Sequence, residues 1–269
     1  MAAEFRLGTQ GWAHPAWVGP FYPHSVKPAD LLSIYSRAFS TVEIDSTFYA
    51  IPAEPIVAGW YEQVAPGFLF ALKVPQEVTH EKRLVDVDPK LSRFLHRVSG
   101  LKDRLGPLLL QMSPDFRASD ANRQILRRFL DSLPEGFRWA VEFRQPQWVE
   151  PQTMEILRER GVALTLVDGR WIKRGVMLDL ALEPTTDFAY VRWMGAARRM
   201  GDRPQLDRAR EIGAWVEALR VLEGRVGTVF GFVSNQFQGH APASVRQLQK
   251  HLGLPVVEPT MLREQAELF

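Results

Sequence analysis

The chain reads as a (β/α)8 barrel of eight parallel strands. Its 269 residues, 46% of them apolar, suffice for one large core, and barrels of this kind commonly run to about 250 residues in a single domain. Eight short segments rich in β-branched, aromatic and apolar residues recur along the whole length, and stretches with helical periodicity or turn signals separate them. Such alternation implies right-handed parallel crossovers, and eight of these units close into a barrel more naturally than they form an open sheet.

The first strand is expected over 5–12, and a helix over 28–39 follows, opening with Pro28 in a first turn where the missing N–H has no helical partner. Strands over 41–48, 69–75, 107–113 and 138–144 come next, with helices over 53–64, 89–104, 119–132 and 151–160 after them. The sixth strand, 162–168, leads into 169–187, which lacks a good helical pattern and is expected to be an irregular segment. A seventh strand over 188–195 precedes a helix over 205–222, and an eighth over 227–235 precedes helices over 242–252 and 258–267. No linker, low-complexity tract or internal repeat interrupts the chain, so one domain over 1–269 is expected. A doubly wound open sheet is the structural alternative, but no Gly-x-Gly-x-x-Gly turn follows the first strand.

The absence of cysteine excludes disulfides, thiolate metal sites and a cysteine nucleophile. No apolar run approaches the ~20 residues that cross a bilayer. The N-terminus shows no basic segment followed by a long apolar stretch, so a cytoplasmic protein without membrane association is expected. Of 33 cationic residues 26 are Arg, whose planar fork suits phosphate and carboxylate. The net charge of only +2 favours surface ion pairs over a dedicated polyanion surface.

Strand side chains alternate between the outer helices and the barrel interior. In Val42-Glu43-Ile44-Asp45 the apolar pair should face the helices, which leaves Glu43 and Asp45 inside. Trp139, Val141 and Phe143 make a second outer face and send Ala140, Glu142 and Arg144 inward. The same parity places Gln10, Lys73, Gln111, Asp168, Arg192 and Asn235 near the C-terminal end of the interior, so that every strand ends in an inward polar residue. Ions buried together must be paired, because desolvation costs several kcal/mol per ion. The cluster is therefore either a bonded network locking the strand ends or a site open to ligand, and its position at the C-terminal strand ends favours a site.

Several segments together resemble one family. They are Gly8-Thr-Gln-Gly-Trp12, Phe21-Tyr-Pro23, Val42-Glu-Ile-Asp-Ser-Thr-Phe-Tyr49, Thr79-His80, Gln111, Ala140-Val-Glu-Phe-Arg144 with Trp148, and Gly239-His-Ala241. In this order and spacing the chain, from about residue 5 to about 250, is similar to the YecE-like family, also called domain of unknown function seventy-two. The resemblance implies a TIM barrel and carries no settled activity. The sequence departs from the usual family wording at Asp45, where Asn is common, at Gln111-Met-Ser-Pro114 in place of Gln-x-Pro-Pro, and at Ser234-Asn-Gln236 in place of an Asn-rich turn. An added carboxylate at 45 can raise the proton affinity of Glu43 or recruit a cation.

Glu43, Asp45, Glu142 and Asp168 offer carboxylate pairs for acid/base chemistry, with Lys73 and Arg144 to stabilise negative charge. No cofactor is predicted. A divalent metal is conceivable with His80 or His240 among the ligands, but no His-x-His or His-Glu-x-x-His spacing occurs. Barrels often bind phosphate through the loops after strands seven and eight, so Arg192, Arg198 and the backbone around Gly239 are candidates for holding an anion, with a solvated basic loop as the alternative. Aromatic residues gather in expected rim loops, and Trp12 and Trp148, with Tyr49, are candidates for stacking a ligand while the rest serve packing.

Three function classes stand: a hydrolase- or isomerase-type enzyme acting on a small polar, phosphorylated or sugar-containing molecule, a nucleic-acid binding or processing protein, and a non-catalytic ligand-binding barrel. No Gly-x-Ser-x-Gly elbow or Walker loop appears, which disfavours serine hydrolase and P-loop chemistry. Oligomeric state leaves no mark in the sequence.

Overall fold

The structure, a computed structural model, describes residues 2–195 and 201–266, with side chains described to residue 262. Strands β1 (Glu4–Gln10), β2 (Thr41–Ile44), β3 (Leu69–Lys73), β4 (Leu105–Gln111), β5 (Trp139–Glu142), β6 (Val162–Asp168), β7 (Phe188–Trp193) and β8 (Thr228–Val233) pair in sequence order. All pairings are parallel, and β1 closes the ring on β8 with Glu4 opposite Thr228. The outer layer holds α1 (Leu31–Ala38), α2 (Glu54–Gln63), α3 (Asp88–Val98), α4 (Asp120–Ser132), α5 (Pro151–Glu159), α6 (Arg174–Leu180), α7 (Ala209–Glu223), the short α8 (Asn235–Gln238), α9 (Ala241–Leu252) and α10 (Pro259–Ala266). No helix among the described residues is long and apolar enough to cross a membrane.

The helices form where apolar residues recur at helical spacing. In α3 the buried residues are Leu91, Phe94, Leu95 and Val98, a stripe one face wide. In α4 they are Leu126, Phe129 and Leu130, and the Ser119 side chain caps the helix by accepting from the Asn122 N–H. The expected helix over 89–104 stops at Val98, because the chain tightens into a 3-10 segment in which Lys102 takes φ 50°. The segment 169–187, expected to be irregular throughout, contains α6, whose seven residues with an internal glycine are too short to show a clear period.

Inside the barrel, Phe188, Tyr190, Phe230 and Phe232 from β7 and β8 pack against Ala71, Ala140 and Ala163 from the facing strands, with Leu109 among them. Large residues on one wall and small ones on the other fill the interior without a pore. Gly8 allows β1 to approach β2, since a Cβ there would lie 2.0 Å from the Thr41 carbonyl oxygen. Tyr35 of α1 clamps that seam, accepting from the Thr9 N–H at 2.8 Å and donating to the Thr41 carbonyl at 3.1 Å.

Most strands end earlier than the sequence pattern implies. β2 stops at Ile44 and β8 at Val233, because the chain turns into short helical segments at Ser46–Phe48 and Asn235–Gln238. Asp45 therefore lies on the first residue after β2, and Asn235 opens α8.

Candidate active site at the upper barrel mouth

Above the apolar interior, the next inward positions of five strands are Glu43, Lys73, Gln111, Glu142 and Arg192, all buried. Arg192, 1% exposed, is the centre. One terminal nitrogen donates to Glu43 Oε1 at 2.7 Å and the other to Glu142 Oε2. Tyr190, two residues back on the same inward face of β7, donates its hydroxyl to Glu43 Oε2 at 2.6 Å. Gln10 donates to Glu43 Oε1 at 3.1 Å, and Gln111 to Glu142 Oε1 at 2.9 Å. Burial works against the charge on Glu142, yet Arg192 and Arg144 together with these hydrogen bonds hold its pKa below the ordinary carboxylate value. Burial likewise opposes charge on Arg192, but Glu43 and Glu142 keep it cationic. Glu43, Arg192 and Glu142 thus form a bonded ionic scaffold.

Two other groups at the mouth are displaced toward neutrality. Asp45 has its pKa raised to about 6, first by burial and then by the neighbouring charge of Glu43. Its side chain is 36% exposed, but Oδ1 is buried without a hydrogen-bond partner, 3.9 Å from Arg192. Lys73 at the end of β3 has its pKa lowered to about 8, chiefly by burial, with Asp45 as the leading opposing influence. Its ammonium sits 3.7 Å from the centre of the Phe48 ring, and no hydrogen bond or ion pair engages it among the described residues. His80, edge-on to Phe48, is held neutral with a pKa near 4, lowered by burial and then by Arg144 and Lys73.

Two cavities open over this floor. One, of about 430 Å³, is lined by Gln10, Trp12, His14, Asp45 and Ser46 among others. The second, of about 670 Å³, is lined by Gln111, Glu142, Arg144, Arg170 and Trp171. Gln236 borders both. Among the described residues no three His, Asp or Glu side chains stand together as a metal-binding set.

Five expected site residues lie elsewhere or serve other ends. Asp168 shares the outward face of β6 with Leu164 and Leu166, where it pairs with Arg174 Nε at 2.6 Å and accepts from Trp215 Nε1 at 2.7 Å. Asn235 lines the smaller cavity, but its Oδ1 accepts from Trp17 Nε1 and the Ala241 N–H, tying loops together. Trp148 is fully buried, stacked between Phe116 and Phe143 at centroid distances of 5.1 and 4.7 Å, with its N–H on the Phe116 carbonyl. His240 caps α9 by accepting from the Ala243 N–H, with a pKa near 4 set mainly by burial. The Gly239 N–H donates to the Asn235 carbonyl and its own carbonyl accepts from Gly201, so this backbone is not free for an anion. Arg198 lies outside the described residues. Tyr49 stands at the rim, 74% exposed and edge-on to Phe48.

Sequence reasoning missed Tyr190, Arg170 and Trp171, and read Phe48 as one of the rim aromatics after strand two. Tyr190 was readable, since it shares inward parity with Arg192. Arg170 and Trp171 sit in a loop with no periodicity to orient them.

A profile described as protein of unknown function DUF72 matches residues 6–267. The UPF0759 protein YecE of Escherichia coli K12 is 35% identical over 169 residues, spanning 61% of this chain and 59% of YecE, so in this match the chain spans about three fifths of that relative's length. The UPF0759 protein YunF of Bacillus subtilis 168 is 23% identical over 275 residues, covering 92% of this chain and 94% of YunF. Among solved structures, that of a DUF72 family protein from Thermotoga maritima superposes with a TM-score of 0.79 at 29% identity, covering 93% of this chain and 99% of that one. The sequence match over nearly all of the chain and the shared closed barrel make this protein a member of the DUF72 family.

Proposed function

We propose that the protein is an enzyme that moves a proton on a small polar, hydroxylated substrate, in the manner of an isomerase. The observation that carries this reading is Asp45, which lines the smaller cavity, with Lys73 close enough to feel its charge, two groups whose pKa values, about 6 and about 8, bracket neutrality. A carboxylate near pH 6 is matched to taking a proton from carbon beside a carbonyl. The electron pair then moves onto the carbonyl oxygen, and the Lys73 ammonium meets the charge that develops there. The substrate's own hydroxyl proton passes to the former carbonyl oxygen while protonated Asp45 returns its proton to the neighbouring carbon on the same face, giving an isomer. Glu43 and Glu142, paired to Arg192, fix the floor of the site, and Tyr190 adds a fixed donor to it.

The test is deuterium exchange. Aldoses, ketoses and their phosphate esters are incubated with the protein in D2O, and loss of the proton beside the carbonyl is followed by NMR. Exchange by the wild type that falls at least about a hundredfold in Asp45→Asn supports the reading, in line with the usual contribution of a general base. Absence of exchange across the panel, or equal exchange by both proteins, refutes it.

A further inference from the structure

The larger cavity carries an excess of positive charge. Its carboxylate, Glu142, is already engaged by Arg192 and Gln111. Arg144 lies 3.7 Å from Glu142, beyond a good hydrogen bond, and its Nε is buried without a hydrogen-bond partner. Gln111 Oε1 is also buried without a partner. Arg170 opens on the same cavity and engages no carboxylate among the described residues. The Trp171 ring stands beside both guanidinium groups, 5.7 Å from that of Arg144 and 4.5 Å from that of Arg170. His80 registers the same field, since Arg144 and Lys73 add to burial in keeping it neutral. A cation held largely away from water, as Arg144 is, is unfavourable without a counter-charge.

We propose that Arg144 and Arg170 hold the phosphate group of a small phosphorylated substrate in this cavity, with Trp171 as its side wall. The inference rests on the small-molecule reading of the site and names the substrate class. Two planar forks supply more donors than a carboxylate can accept, whereas a phosphate monoester presents three peripheral oxygens to share between them. A volume of about 670 Å³ admits a molecule the size of a sugar phosphate. The unpartnered Gln111 Oε1 accepts from a hydroxyl on the same ligand. The site lies on the loops after β5 and β6, away from the loops after strands seven and eight where barrels commonly place phosphate.

Binding of inorganic phosphate is measured by calorimetry on the full chain at fixed ionic strength, with acetate as the competing oxyanion. Wild type is expected to bind phosphate in preference to acetate, Arg170→Ala to weaken it at least about tenfold, and Arg144→Met to weaken it further. Arg170 is exposed, so its variant tests the idea even where Arg144→Met folds poorly. Asp45→Asn is expected to bind phosphate as wild type does. No phosphate binding by wild type, unchanged binding in Arg170→Ala, or displacement of phosphate by a single-stranded oligonucleotide that needs the same arginines overturns the inference. Phosphate binding without deuterium exchange refutes only the proton-transfer reading, and exchange indifferent to phosphate and to Arg170→Ala refutes only the phosphate site.

Discussion

Replacing Arg192 with methionine removes the one cation between two buried carboxylates. Glu43 and Glu142 are 0% and 3% exposed and receive their shortest ionic contacts from this guanidinium. Taking one partner from a buried pair typically costs about 3–5 kcal/mol, because the remaining charge has lost its compensation. Gln111 and Tyr190 still donate to the carboxylates, so the lower half of that range is expected. For a chain of this length each kcal/mol moves the melting temperature by about 2–4 °C, which places the variant about 10 °C below wild type. The loss must depend on pH. In wild type Glu142 has a depressed pKa, so its ionic contribution is present above the ordinary carboxylate range and is lost on acidification. In the variant the leading opposing charge is gone and only Arg144 and Gln111 counter burial, so the folded-state pKa of Glu142 rises. The deficit relative to wild type is therefore largest near pH 8 and shrinks toward pH 5. Adding Glu43→Gln and Glu142→Gln restores most of the stability by removing the orphaned charges. Guanidinium unfolding at pH 5 and pH 8 is the assay. A loss below about 1 kcal/mol, or one equal at both pH values, refutes the scaffold argument.

Three further outcomes are expected. In a responsive reaction kcat/KM rises through about pH 6 as Asp45 ionises and falls through about pH 8 as Lys73 loses its proton, and Asp45→Asn removes the acid limb. Trp148→Ala costs about 3–5 kcal/mol in chemical denaturation through the cavity left between Phe116 and Phe143, while KM stays unchanged, contrary to a stacking role. His240 is buried neutral with a pKa near 4, so between its ordinary value of 6.5 and 4 the unfolded chain takes up a proton that the folded one refuses. Stability therefore falls as pH drops through that window. His240→Asn, which keeps a capping acceptor, flattens the fall in thermal scans taken from pH 7 to pH 4.

Much of the site was readable wherever strands carry unequal faces. Val42 and Ile44 on one side leave Glu43 on the other, and Trp139 with Val141 does the same for Glu142. Parity failed on β6, where all seven residues are buried and both faces look apolar. Side-chain volume held the missing cue: Ala163 belongs to the interior cluster, while Leu164 and Leu166 face the helices and carry Asp168 with them. Asn235 was misplaced because β8 ends two residues earlier and the chain turns into α8. The role of Trp148 depends on Phe116 and Phe143 meeting it from separate segments, which no local pattern announces. The displaced pKa values of Asp45 and Lys73 likewise come from burial and from neighbours brought together only by closure of the barrel. Composition, periodicity and motif spacing carry no trace of them.

Closure of the barrel leaves Lys73 buried, without a hydrogen bond or ion pair among the described residues, within reach of the Asp45 charge. NMR titration of side-chain-labelled lysine tests it directly, with Lys73→Arg identifying the resonance among the seven lysines. Lys73 is expected to titrate near pH 8, and still lower in Asp45→Asn because the opposing carboxylate charge is gone. Titration of Lys73 near 10.5, the ordinary lysine value, with no response to Asp45→Asn contradicts it.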